Sequence, residues 1–590
     1  IMQNKIKTNW DLKLLYKSIE EFETDIKQNF DLIDVFLTKY EMLDFKKFNS
    51  TSLKQFLIED EELSLLTNKP FYYLSYLSSL DTQNQELIKK SQKIGIEYNN
   101  LFRDRLLNLS DRINSIGYTK LIKFSKSKDL KNYKNHLNKI AQAIKYKLDP
   151  KIESALLKTN DVLSYGNNIF NELSNSFTYI IDDVEYTSEE ISTKWISPIE
   201  DERKKALDAM YNKYNETSNK IIFGNLYSMT CMDTIVSMKL KNIKEDVMVF
   251  RNISEEMDSD VVDSMITNVK SKYDLFHRFL KLKAKYLNKD KLEAHDLYAP
   301  ITLTDVKKIP FEEGLDLYLK VIKKFDNEFY WYSKEMVDEG RLDVFPKKNK
   351  RGGAFSSSDK AINSFILLNY TDTFQDVSTL AHEFGHSIHS YYYNKQNYNN
   401  AGVSLCLVET ASIFNETIVR QYILDNNLKT KEEKIEFVMS YLDAIFGTTY
   451  RQILYTSFEK RVHESFLNDI PLTYEDYDKM WQEELNEMYG DTVKDSYKWI
   501  SWQRIPHIYN TPFYCYSYTF GNLLSFYLYN MYNKMDKNKF KKMYKSILES
   551  GCSKRPYELL LEKGIDVKSE DFYKNSFEII EKFIIFVENI

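Results

Sequence analysis

Thr379-Leu380-Ala381-His382-Glu383-Phe384-Gly385-His386-Ser387-Ile388-His389 is the stretch on which the reading of this chain turns. Residues four apart on an α-helix lie on one face, about one turn from each other. His382 and His386 can therefore aim two imidazoles at a single metal ion. Glu383 stands beside them, placed to act on a water there without being a ligand itself. Three of the eight histidines in 590 residues fall between positions 382 and 389, so chance explains the pattern poorly.

Upstream, Ser364-Phe365-Ile366-Leu367-Leu368-Asn369-Tyr370 reads as a strand, and Asp372 or Thr373 can cap the motif helix. Downstream, residues 391–402 are rich in Asn and Tyr and read as a loop. A second helix from about Val403 can return Glu409 to the metal as the third protein ligand, leaving a fourth position to water. On spacing alone, the competing reading of Glu409 is an acid on a solvated helix face. Glu416 lies seven residues on, two turns along the same face, and suits holding a ligand imidazole in one tautomer.

Further out, helical periodicity covers residues 10–158. The period then changes to that of a hairpin near 177–187, with Asp182-Asp183 at its turn. Ser197-Pro198-Ile199-Glu200 restarts a helix, with Pro at its first position and acids in its first turn. Helices run to about 339, apart from a loop around 295–300, and resume from the motif to 590. Leu342-Asp343-Val344-Phe345 is strand-like. The basic run Lys347-Lys348-Asn349-Lys350-Arg351 reads as a solvated loop. The division this suggests is an N-terminal helical lobe, 1–190, and a catalytic helical domain, 191–590.

Composition agrees. Only 15 Gly and 10 Pro leave few breaks, which favours long helices over a turn-rich β fold. A net charge of -6 argues against nucleic acid as a partner. No segment reaches the ~18 apolar residues of a membrane span, and residues 4–18 are too polar for a signal peptide. Cys231, Cys406, Cys515 and Cys552 form no CxxC pair and are too few for a disulfide framework, so a reducing, cytoplasmic setting is expected.

With these residues in view, the chain resembles the M3 metallopeptidase family, and within it the oligoendopeptidase F branch. The likeness rests on residues 365–370 leading into 379–389, on Glu409-Thr410-Ala411-Ser412 with Asn415-Glu416, and on Trp10-Asp11-Leu12. Asp296-Leu297-Tyr298 with Pro300, residues 338–355, and His507 before a tyrosine-rich helix extend it along nearly the whole chain. It implies a mainly α, two-lobed helical zincin with a deep central channel and a small β-sheet near the active site. It also implies one Zn2+ per chain and oligopeptide substrates cut at internal bonds. By position, His382, His386 and Glu409 become the ligands and Glu383 the general base. His507 and tyrosines of residues 504–518 become donors to the oxyanion. Tyr514 and Tyr518, four apart, could point together from one helix face; packing residues with satisfied hydroxyls are the competing reading.

His389 is assigned to support or packing, not to the metal. His136, His277, His295 and His463 have no acids at ligand spacing and read as ordinary residues. The 365–370 strand could pair with an extended peptide, against the plainer reading of a buried strand. Two rival functions stand beside the endopeptidase: a dipeptidyl- or carboxypeptidase of the same zincin class, and a helical peptide-binding protein without catalysis. Retention of Glu383 argues against the second.

Overall fold

The computed structural model describes residues 6–244, 246–304 and 308–590. Among the described residues, 25 α-helices stand against seven strands, none longer than six residues, so the fold is mainly α as expected. The strands are β1 (Tyr179–Ile181), β2 (Val184–Tyr186), β3 (Leu292–Glu293), β4 (Leu342–Asp343), β5 (Phe355–Asp359), β6 (Ile362–Leu367) and β7 (Val493–Lys494). No described helix is long and apolar enough to cross a membrane.

The chain forms two compact units, each assembled from three segments. The first comprises residues 1–146, 306–422 and 534–563; the second comprises 147–305, 423–533 and 564–590. These units do not follow the linear division at 190/191. The physical reason is visible at Trp10. Its indole Nε1 donates to the Ile366 carbonyl at 2.7 Å, and its ring meets Phe365 edge-on at 6.0 Å. Asp11 N–H donates to Gly340 O and Val344 N–H to Thr8 O, so the chain's start is built onto a segment more than 300 residues away. Hydrophobic periodicity reports each helix's own face and is blind to such long-range pairing.

In the first unit, β4, β6 and β5 form a sheet in that order, with β4 parallel to β6 and β5 antiparallel to it. β5 was not anticipated; Phe355-Ser356-Ser357-Ser358-Asp359 has the polarity of a loop. Since β6 has neighbours on both sides, it cannot accept a peptide strand, which corrects the expectation for residues 365–370. The edges of the sheet are β4, only two residues long, and β5. The reading of Lys350 as a solvated loop residue is also corrected. Its ammonium is buried, 2.7 Å from Asp343 Oδ1 and within 3.2 Å of the carbonyls of Asp343, Phe345 and Leu368. The Lys347–Arg351 loop is thus nailed to the sheet through one buried, fully answered charge, while Lys347, Lys348 and Asn349 remain exposed.

In the second unit, β1 and β2 form the expected hairpin, with Asp182 and Asp183 both at positive φ (51° and 63°), the backbone a two-residue turn of this hand requires. A helix at Ser188–Trp195 follows the hairpin. The next starts at Glu200 with Glu200, Asp201 and Glu202 in its first turn, so Pro198 lies outside it and not at its first position. Arg203 is buried, with its guanidinium 3.0 Å from the buried Asp296 carboxylate.

Candidate metal centre

The motif helix, Phe374–Tyr393, begins where the sequence says it should. Thr373 is its N-cap, in a capping box with Asp376. Val377, Leu380, Ala381, Phe384 and Ile388 are each fully buried, and Phe384 stacks on Tyr318 at 4.6 Å and 8°. This anchored face fixes the rotation of the helix and turns His382 and His386 together, their rings 4.9 Å apart.

Glu409 lies on the next helix, Leu405–Asn426. It reaches the histidines because Gly385 lets the two backbones touch. A Cβ on Gly385 would lie 2.4 Å from Ser412 Cα and 2.5 Å from Ala411 O, so no other residue fits without moving a helix. Glu409 Oε2 is 3.3 Å from His382 Nε2 and 3.6 Å from His386 Nε2. A tetrahedral ion with ligand bonds of about 2.0–2.2 Å holds its donors roughly 3.4 Å apart, so these three atoms are spaced to share one.

The neighbours orient the donors. Glu416 Oε2 takes His382 Nδ1 at 3.1 Å, which leaves Nε2 to face Glu409. Arg420 Nε holds the other Glu416 oxygen at 2.8 Å, and its Nη2 donates to Gln375 Oε1 at 2.6 Å. Ser412 Oγ donates to Glu409 Oε2 at 2.6 Å. The Val408 backbone carbonyl accepts a hydrogen bond from both His386 and His389. Ser412, Arg420 and Val408 were missed from sequence, although Ser412 is i+3 from Glu409 and Arg420 i+4 from Glu416, so helical spacing held that signal.

Electrostatics follow from burial and these contacts. Burial alone would lower His382, but the Glu409 and Glu416 carboxylates outweigh it and hold the imidazole well above its ordinary range. Burial likewise opposes ionisation of Glu409, yet His386, His382 and Ser412 hold its carboxyl well below the usual carboxylate range. His386 is pushed down to about 4 by burial, against the pull of Glu409. Glu383, 6% exposed, is pushed up to about 7, first by burial and then by Glu409, with His382 and the Ser356 backbone opposing. Its Oε2 is buried with no hydrogen-bond partner, and the Ser356 contact ties it to β5. His389 is buried outside the donor group, pushed down to about 3 by burial.

His507, Tyr514 and Tyr518 gather in the second unit. The His507 ring stacks with Tyr514 at 5.7 Å and meets Tyr518 edge-on at 6.3 Å, and the two tyrosine rings are 5.3 Å apart. They do not share a helix face. The helix is Tyr516–Lys534, and Tyr514 precedes it in a turn where Phe513 has φ 60°. A left-handed residue ends helical continuation, a break that the even i, i+4 spacing conceals.

His295 departs from its expectation. Glu200 Oε1 lies 3.2 Å and Asp296 Oδ1 3.5 Å from its Nε2, a second His/acid group among the described residues. Lys289 already occupies both carboxylates at 2.5 and 2.7 Å, and Arg203 also holds Asp296, so cations of the chain itself answer these charges. Glu200 is 95 residues upstream, beyond any local spacing rule.

Residues 196–579 match the model of Peptidase family M3, and residues 112–178 that of Oligopeptidase F. Oligopeptidase PepF of Bacillus subtilis (strain 168) is 28% identical, over 96% of this chain and 85% of that protein. Group B oligopeptidase PepB of Streptococcus agalactiae is 27% identical, over 99% and 97%. Among solved structures, a peptidase candidate from Chlamydophila abortus superposes with a TM-score of 0.87 at 27% identity, covering 99% of this chain and 98% of that one. Oligoendopeptidase-F from Enterococcus faecium gives 0.69 at 19%, covering 96% and 99%, a likeness of fold.

Proposed function

Since the chain belongs to peptidase family M3, a family of metallopeptidases, and carries the Oligopeptidase F segment as well, we propose that it is a zinc-dependent endopeptidase cutting internal bonds of short peptides. The observation that carries this reading is the juxtaposition of two His Nε2 atoms and the Glu409 oxygen, with the unpartnered Oε2 of Glu383 one residue from His382. His382, His386 and Glu409 would hold one Zn2+, a donor set of the kind that leaves one position open. When bound, Zn2+ supplies Lewis acidity, which makes water a nucleophile near neutral pH and polarises the scissile carbonyl.

The chain's own residues do the rest. Glu383 takes the proton of the attacking water at Oε2 and returns it to the leaving amine, a task open to a carboxylate oxygen left without a partner beside the donor group. Glu416, backed by Arg420, keeps His382 in one tautomer. The family resemblance gives His507, Tyr514 and Tyr518 the role of donors to the developing oxyanion, each worth on the order of 3 kcal/mol by analogy with other such donors. β5, at the sheet edge and tied to Glu383 through Ser356, offers main-chain groups to an extended peptide.

The test is a peptide blocked at both ends. Internal cleavage is expected. Cleavage only of peptides with a free terminus would replace the endopeptidase reading with an exopeptidase one. The companion variant, Glu383→Gln, should retain about one zinc per chain while kcat falls ~10²–10⁴-fold. Normal turnover in that variant would remove Glu383 from the mechanism.

A further inference from the structure

Phe513 is a poor residue for its backbone. A bulky side chain at φ 60° is strained, and glycine would adopt this conformation freely. Such strain persists where the surroundings over-determine it, and it clusters at functional sites. Here the surroundings are specific. The peptide group joining Pro512 to Phe513 is held at both polar atoms. Its carbonyl accepts from Arg251 Nε at 3.2 Å, and its N–H donates to Glu459 Oε1 at 2.9 Å. The Phe513 side chain is buried against His463 at 4.7 Å.

Both clamping residues come from elsewhere in the second unit, Glu459 from the helix Tyr450–Leu467 and Arg251 from the short helix Val249–Ser254. Glu459 is fully buried, and its second oxygen has no hydrogen-bond partner. A carboxyl left so is costly and has only this one hydrogen bond to justify it. Arg251 does more than hold the carbonyl. Its guanidinium carbon lies 5.7 Å from the Tyr514 ring centroid, and Glu255 steadies it at 3.5 Å. The neighbouring Asn252 accepts from Tyr516 OH at 2.9 Å. On the other side of the turn, Thr511 N–H donates to His507 O at 2.8 Å and Tyr514 N–H to Thr511 O at 3.2 Å. A continuous set of contacts therefore links the clamp to all three rings of the His507–Tyr514–Tyr518 group.

We propose that Glu459 and Arg251 are positioning residues, which together grip the Pro512–Phe513 peptide and so set Tyr514 and Tyr518 beside His507 for the reaction. This rests on the oxyanion role given to those rings above. Neither residue touches the reacting atoms; their effect runs through the turn.

The experiment measures kcat, KM and zinc per chain with a doubly blocked, internally quenched peptide. Glu459→Ala and Arg251→Ala should each lower kcat at least tenfold, with KM changing less than about threefold and zinc content as in the wild type. Glu459→Gln keeps the acceptor and should recover most of the kcat lost in Glu459→Ala. In a Tyr514→Phe/Tyr518→Phe background, Glu459→Ala should add little further loss. Should Glu459→Ala fail to fold, the partly exposed Arg251→Ala, with folding checked by circular dichroism, decides alone. If the tyrosine variants lose kcat but the clamp variants keep it, or if the two losses multiply in full, the positioning proposal is overturned and the oxyanion role stands. If the tyrosine variants keep full kcat, the oxyanion role falls and the proposal falls with it. Loss of zinc in the clamp variants would place their effect at the metal and overturn it too.

Discussion

Glu416 governs which nitrogen of His382 faces Glu409, because its carboxylate already engages Nδ1 at 3.1 Å. Outer partners of this kind typically contribute 10–100-fold to metal affinity. Glu416→Ala should therefore weaken zinc binding by about that factor, read by competition with a chelating dye, while the apo protein stays folded. An unchanged affinity would show that His382 keeps its orientation without Glu416. At this scale the sequence told much, because helical geometry converts spacing into proximity: His382, His386 and Glu383 follow from one period, and so does the placing of Glu416 on the same face as Glu409. Glu409 needed more, since only the crossing of a second helix turns a plausible acid into a neighbour at 3.3 Å. Tyr514 misled, because i, i+4 spacing carries no mark of a left-handed residue between.

The crossing of the motif helix and the Glu409 helix depends on a missing side chain. Gly385→Ala would place a methyl carbon 2.4 Å from Ser412 Cα, against backbone that cannot rotate away. Overpacking of this kind costs roughly 1–3 kcal/mol, and the separation it forces should carry Glu409 away from the histidines. The expected outcome is a lowered Tm together with substoichiometric zinc. A stable variant with full zinc content would mean that the helices are not held at that distance. The sheet shows the opposite face of legibility. β4 and β6 are apolar enough to be read as strands, but β5 is serine-rich and two-sided, and strand character there comes from pairing with β6. Trp10 is a further element-scale joint: Trp10→Ala removes a buried indole and its bond to Ile366, and should cost about 3–5 kcal/mol in chemical denaturation. A loss below about 1 kcal/mol would show that the N-terminal segment is held by other contacts.

Across the molecule, Glu459 couples stability to pH. Burial pushes its carboxyl up to about 8, against the Phe513 N–H and Arg251. In the unfolded chain the group titrates near its ordinary value of 4.5. Between those limits the folded protein binds the extra proton, so this group's contribution to stability is whole at low pH and declines as pH rises towards about 8. The amplitude is on the order of a few kcal/mol. Glu459→Gln cannot ionise, so its Tm should match the wild type near pH 4.5 and exceed it increasingly up to pH 8. A gap that does not change with pH would contradict the assignment.

What the sequence settled by itself was whatever one helix or one hairpin decides: the mainly α character, the His382–His386 face with Glu383 beside it, a cap at Asp372 or Thr373, and the Asp182-Asp183 turn. Each depends on residues within a few positions of one another, where backbone geometry leaves little freedom. What only the tertiary structure decided was whatever distant segments share. The assembly of each compact unit from three pieces, the edge position of β5, the burial of Lys350 and the grip of Glu459 and Arg251 on Phe513 all join residues tens to hundreds apart. Side-chain identity limits such pairings but does not select them. They are chosen by packing, and by the need to answer every buried polar group, which only the folded chain as a whole can satisfy.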